Sequence, residues 1–106
     1  METRLSESTR ILEKYPDRIP IIVNKKLGCD IPDIEKKKYL VPRDMTLTQY
    51  IYVIRKRLVL EPSKALFFTI NNRMEVGNKK ISDIYVEHKN KDGFLYITYS
   101  SENTFG

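Results

Sequence analysis

Between residues 43 and 60 the apolar residues change their spacing. In "RDMTLTQYIYVIRKRLVL", Leu47, Tyr50, Ile51, Ile54 and Leu58 fall at i, i+3, i+4, i+7 and i+11, which is one face of an α-helix. Thr46 and Gln49 stand just ahead of that face, three residues apart. This is the spacing of a capping box, so it locates the helix start. On either side of this stretch the spacing is two. In "RIPIIVNKK", Ile19, Ile21 and Val23 point one way, and Pro20 and Ile22 the other. A strand apolar on both faces is covered on both, or carries a binding groove on one. Pro20 cannot donate to a ladder, so it suggests a strand start or a sheet edge.

The remaining elements follow from the same rules. "RLSESTRILEKY" reads as a helix with a sparse stripe of Leu5, Ile11, Leu12 and Tyr15, ended by Pro16. "LGCDIPD" is a turn-rich connection, and "KKKYLVP" is a short strand stopped by Pro42. "ALFFTI" is a third strand closed by "NN". Ser82 is placed to cap a short helix, "DIYVEHK", and "KDG" turns the chain into "FLYITYS". In that last strand Leu95, Ile97 and Tyr99 share one face, and Phe94, Tyr96 and Thr98 the other. The expected class is α+β, a four-stranded mixed sheet around one central helix, which is the element order of the ubiquitin-like β-grasp. The leading helix would cover the opposite sheet face. At 106 residues one domain is expected: a helix at about 3–15, a core at 18–100 and a tail at 101–106.

Little in the sequence points to catalysis. His88 is the single histidine and Cys29 the single cysteine. A lone histidine near a helix end is ordinarily a surface residue, and a lone cysteine forms no internal disulfide. No Cys/His cluster has metal spacing, and no glycine-rich phosphate loop is present. Asp30 and Asp33 lie in a turn, where aspartate bonds locally. Neither enzymatic activity nor a metal or other cofactor is therefore expected. No apolar run approaches the roughly 20 residues of a membrane span.

The charge does point somewhere. The net charge is +5, clustered in "NKK" at 24–26, "KKK" at 36–38 and "RKR" at 55–57. Such runs suit an acidic partner, whether peptide, anionic lipid or nucleic acid. The aromatic residues are mostly spent in strands, which argues against nucleic acid. The short basic strand "KKKYLVP" would lie at a sheet edge, where unpaired backbone groups can bind an extended peptide. Ile11, Pro20, Ile22, Leu40 and Phe94 could form one apolar patch beside it, and Tyr39, Val41, Met45, Tyr50 and Val53 another. The alternative is that these residues only pack the two sides of the sheet.

The segments "EKYPDRIPIIV", "DIEKKKYLVPRDMT", "IRKRL", "ALFFTINN", "IYVEHK" and "GFLYITYSSENTFG" resemble the GABARAP branch of the autophagy-related ubiquitin-like modifiers. The resemblance runs from about Glu7 to Gly106, in order and without shifts in spacing. It implies a β-grasp modifier joined through its terminal glycine, here Gly106, to phosphatidylethanolamine, after thioester transfer by activating and conjugating enzymes. Phe105 matches the aromatic residue carried before that glycine. The resemblance also implies a delipidating cysteine protease as partner. It implies a cytoplasmic protein that moves to autophagosome membranes when lipidated.

By the same resemblance, the groove takes acidic peptides with an aromatic and an aliphatic anchor three residues apart. Glu7, Ile11, Pro20, Ile22, Lys38, Leu40 and Phe94 would line the aromatic pocket. Tyr39, Val41, Pro42, Met45, Tyr50, Val53 and Ile54 would line the aliphatic one. Arg18, Lys36, Lys38 and Arg57 would meet the acidic residues. Family members usually begin with a further short helix, and Met1 here falls inside the second, so roles of that first helix are not carried over. Many members also carry residues beyond the glycine. An alternative within the same fold is a modifier joined to a protein rather than to a lipid.

Overall fold

A computed structural model describes residues 3–61 and 63–101. Its elements are α1 (Arg4–Lys14), β1 (Arg18–Lys25), β2 (Lys38–Pro42), α2 (Leu47–Leu58), β3 (Phe67–Thr69), α3 (Ile81–His88) and β4 (Leu95–Ser100). The expected element order is the observed one. The strands form one sheet in the order β2-β1-β4-β3. β1 pairs antiparallel with β2 and parallel with β4, and β3 pairs antiparallel with β4. No described helix is long and apolar enough to cross a membrane.

The start of α2 forms as its sequence requires. Gln49 N–H donates to the Thr46 hydroxyl at 3.2 Å, and Thr46 N–H donates to the Gln49 side chain at 2.9 Å. Leu47, Tyr50, Ile54 and Leu58 are buried along one stripe of the helix. They join Ile19, Ile21, Val23, Leu95, Ile97 and Tyr99 from the inner strands in a single core. Fully burying a side chain of this size contributes about 1.5–3 kcal/mol, so this layer dominates the stability of the fold. β1 is buried from Ile19 through Val23. Its odd residues face the α2 core, and Ile22 lies outside that cluster, on the sheet side toward α1. Both faces of β1 are covered, as its doubly apolar pattern demands.

Three local expectations are corrected. Pro20 marks no edge: β1 is an inner strand, with β2 on one side and β4 on the other. Val23 N–H donates to Lys37 O at 2.8 Å, so the odd residues of β1 carry the bonds to β2. Pro20 turns its nitrogen the other way, one residue before the β4 pairing begins at Ile21 and Leu95. The missing N–H therefore costs no ladder bond. Second, Ser82 does not cap α3. The helix begins at Ile81 behind Lys80, and the cap makes no side-chain bond. Ile81 N–H donates instead to Met45 O and Ser82 N–H to Arg43 O, so tertiary backbone contacts satisfy the helix start. Third, the strand within "ALFFTI" is only Phe67–Thr69. It ends at Asn71 and Asn72, both with positive φ.

The docking of α1 also departs from its apolar stripe. Leu5 is 55% exposed and Tyr15 is 40% exposed, while Ser8 is 1% exposed. The Ser8 hydroxyl donates to Asp92 O at 2.6 Å. A smaller residue at this point lets the helix approach the turn before β4, and Gly93 completes the approach: a β-carbon there would collide with Ser8 Oγ. Arg4 donates to the Tyr96 hydroxyl, which donates to the Asp92 carboxylate. These polar bonds add to the packing of the half-buried Ile11 and Leu12, the latter against the core. Gly93 also has φ +85°, a region costly for any side chain. Gly93→Ala should lower the unfolding free energy by roughly 1–3 kcal/mol. Urea denaturation measures this directly, and an unchanged midpoint would refute the close approach.

Candidate functional site

β2 is an edge strand. Its burial alternates, with Tyr39 and Val41 buried and Lys38, Leu40 and Pro42 exposed. The register pairs Ile19 with Val41 and Ile21 with Tyr39. Since the odd residues of the ladder carry the bonds to β1, the N–H and C=O groups of Lys38 and Leu40 point outward. Pro42 has no N–H and closes the row. This leaves a short template for an added strand.

A cavity of about 440 Å³ lies along this edge. Glu7 and Ile11 of α1, with Lys38, Leu40 and Phe94, wall it from one sheet face. Tyr39, Val41, Pro42, Met45, Tyr50, Val53, Lys36 and Arg57 wall it toward α2. All of these residues were singled out from the sequence. The loop that carries Lys36 is anchored through Tyr99, whose hydroxyl accepts from Ile34 N–H and donates to Pro32 O, each at 2.9 Å.

Four other expected residues lie off the cavity wall. Pro20 and Ile22 are buried opposite Leu40 and Lys38 in the register, beneath the α1 side of the groove. Arg18 pairs with Pro42 at the far end of the ladder. Ile54 is fully buried in the core, a correction with a helical cause. It continues the inward stripe of Leu47 and Tyr50, while Val53 and Arg57, four residues apart, form the adjacent stripe that meets the cavity. Gly106 and Phe105 lie outside the described residues.

Charge sits at the rim. Lys38 Nζ lies 2.9 Å from Glu7 Oε1 and 3.0 Å from Oε2, joining β2 to α1 across one end. At the other end, Lys36 Nζ is 5.1 Å from the Tyr39 ring centre and the Arg57 guanidinium is 5.8 Å from it. The floor is aromatic. The Tyr50 ring packs edge-on against Tyr39 at 6.0 Å and against Phe68 at 6.1 Å. Burial pushes the Tyr39 phenol pKa up, opposed by the charge of Arg57. Burial raises that of Tyr50 further, aided by Tyr39 and opposed by Arg57. Both phenols stay neutral, and neither hydroxyl finds a hydrogen-bond partner among the described residues. The arrangement offers backbone bonds, apolar pockets and cations, a set suited to peptide recognition.

Three comparisons bear on this geometry. A family profile described as "Autophagy protein Atg8 ubiquitin like" matches residues 3–106. The chain belongs to the Atg8 family. Autophagy-related protein 8a of Arabidopsis thaliana is 58% identical over 106 residues, covering 100% of this chain and 87% of that protein. Autophagy-related protein 8 of Candida glabrata is 53% identical over 105 residues, covering 99% and 89%. The crystal structure of Trypanosoma brucei ATG8 superposes with a TM-score of 0.89 at 43% identity, covering 97% of this chain and 89% of that one. The fold is therefore the ubiquitin-like fold of Atg8, and the family is one of autophagy modifiers rather than enzymes.

One feature of this Atg8-family groove is energetically costly on its own. An unpaired buried hydroxyl carries a desolvation penalty of about 1–3 kcal/mol. Tyr50→Phe removes the group and keeps the ring, so it should stabilise the fold by roughly 1 kcal/mol. Thermal and urea denaturation check this, and a destabilisation of that size would reveal an uncounted partner.

Proposed function

We propose that this Atg8-family chain is a ubiquitin-like autophagy modifier, joined through the carboxylate of Gly106 to phosphatidylethanolamine. Its groove then recruits cargo receptors and autophagy factors by β-augmentation. The single observation that carries the groove reading is the outward edge of Lys38 and Leu40 beside a cavity walled from both sheet faces. In an extended peptide, residues i and i+3 point to opposite faces and stand roughly 10 Å apart. An aromatic-x-x-aliphatic motif therefore sends one anchor to the Ile11 and Phe94 side and the other to the Val53 and Met45 side. The main chain of the motif pairs with β2 between them.

Lys36, Lys38 and Arg57, with Arg18 further along the ladder, meet acidic residues flanking the motif. Exposed ion pairs contribute only about 0.2–1 kcal/mol each, so the buried anchors dominate affinity. Glycine suits the terminus because it has no side chain beside its carboxylate, which lets the tail pass through a narrow enzyme site. The partners are an activating enzyme, a conjugating enzyme, a delipidating cysteine protease and phosphatidylethanolamine membranes. The protein is cytoplasmic until lipidation places it on autophagosomes.

Gly106→Ala should abolish the lipid-modified form. A conjugate that persists would overturn the tail reading, and a protein rather than a lipid on the conjugate, seen by mass spectrometry, would replace the acceptor. For the groove, Leu40→Ala should weaken an acidic aromatic-x-x-aliphatic peptide at least about tenfold. Leu40→Pro removes the outward N–H and leaves the β1 bonds in place, so it should weaken binding comparably while the fold survives. Titration calorimetry measures both, and unchanged affinity in both variants would sink the groove assignment.

A further inference from the structure

A second cluster lies outside the groove, where the segment between β3 and α3 folds back on the end of α3. His88 Nε2 stands 3.0 Å from Glu75 Oε1 and 3.5 Å from Glu87 Oε2. One ligand atom from each of Glu75, Glu87 and His88 lies within 4.8 Å of the other two. We propose that Glu75, Glu87 and His88 form a binding site for a single divalent transition-metal ion, best suited to Zn²⁺.

The spacing of the three groups suits a metal ion. Oxygen and nitrogen ligands stand about 2.0–2.2 Å from zinc, so in a tetrahedral site the ligand atoms are roughly 3.3–3.5 Å apart. The two His88 distances bracket that spacing before any ion is present. The carboxylate oxygens are divided between two partners. Lys79 Nζ holds the outer ones, Glu75 Oε2 at 3.3 Å and Glu87 Oε1 at 2.7 Å. The inner oxygens, Glu75 Oε1 and Glu87 Oε2, are left to converge on one imidazole nitrogen. A neutral imidazole has at most one hydrogen there, so it cannot satisfy both acceptors. A cation satisfies all three atoms together.

Three features of the surroundings bear on a metal site. The other imidazole nitrogen, Nδ1, lies 3.3 Å from the Asn71 side-chain amide. The atom facing Nδ1 is the amide nitrogen Nδ2; a half-turn of the amide, which exchanges its N and O, brings the carbonyl round to accept the Nδ1 hydrogen, the outer contact that orients a metal-bound histidine. Glu75 and His88 side chains are only 16% and 18% exposed, whereas Glu87 is 51% exposed. Three protein ligands with an open solvent side leave the fourth position to water. The carbonyl end of α3 adds partial negative charge beside the ion.

The test is zinc chloride titrated into the untagged full chain. His88 is the only histidine, so one imidazole spin system reports the site by NMR. Stoichiometric binding should shift the Nε2 resonance far more than Nδ1 and raise the thermal midpoint. Glu75→Gln and Glu87→Gln should each weaken binding at least about tenfold, and Asn71→Gly, which keeps the positive φ, should do so roughly tenfold. Because Glu87 is half-exposed, its variant reads the ligand role even if the Glu75 variant disturbs the loop. Imidazole resonances that stay unmoved in about tenfold zinc excess would overturn the proposal. So would zinc uptake of equal affinity in both Glu→Gln variants.

Discussion

The parallel pairing of β1 with β4 is the constraint on which the rest depends. It joins the early and late parts of the chain side by side at Ile21 and Leu95. Two inner strands then need cover on both faces, and that need places α2 on one side and α1 on the other. It also decides which strands are left at the edges. β2 has one neighbour because β4 occupies the far side of β1. The exposed backbone of Lys38 and Leu40 is thus a consequence of how the core is built.

The same arrangement explains why the groove is both apolar and polar at once. Strand alternation sends Tyr39 and Val41 into the α2 core and leaves Lys38 and Leu40 on the other side. A cavity running along such an edge is walled by both faces of the sheet. Its floor is core, which is why it holds buried phenols. Its rim is surface, which is why it holds Lys36, Lys38 and Arg57. α1 completes the wall through Glu7 and Ile11, and it is positioned by Ser8 against the turn at Asp92 and Gly93.

What could be read from the sequence was what local rules govern. The Thr46 and Gln49 pair announced α2, and the period-two runs announced the strands and their faces. What could not be read depends on partners far away in the chain. Ser8 looks like an ordinary helix serine until Asp92 is beside it. Pro20 suggests an edge until the ladder shows which way its nitrogen points. Ser82 looks like a cap because nothing local reveals that Met45 and Arg43 supply the acceptors. By contrast, Ile54 is already on the inward helical stripe by its spacing, and the resemblance alone places it in the pocket beside Val53. His88 seems a lone surface residue because Glu75 lies 13 residues earlier, on a segment with no period of its own.

The central claim is that the β2 edge is a place for one more strand. Amide hydrogen exchange of the protein with and without a saturating acidic aromatic-x-x-aliphatic peptide tests it residue by residue. Tyr39 and Val41 already bond to β1 and should be protected in both states. The Lys38 and Leu40 amides should be exposed alone and slowed by roughly tenfold or more on binding, as new ladder bonds form. Peptide bound with those two amides exchanging as before would contradict the account.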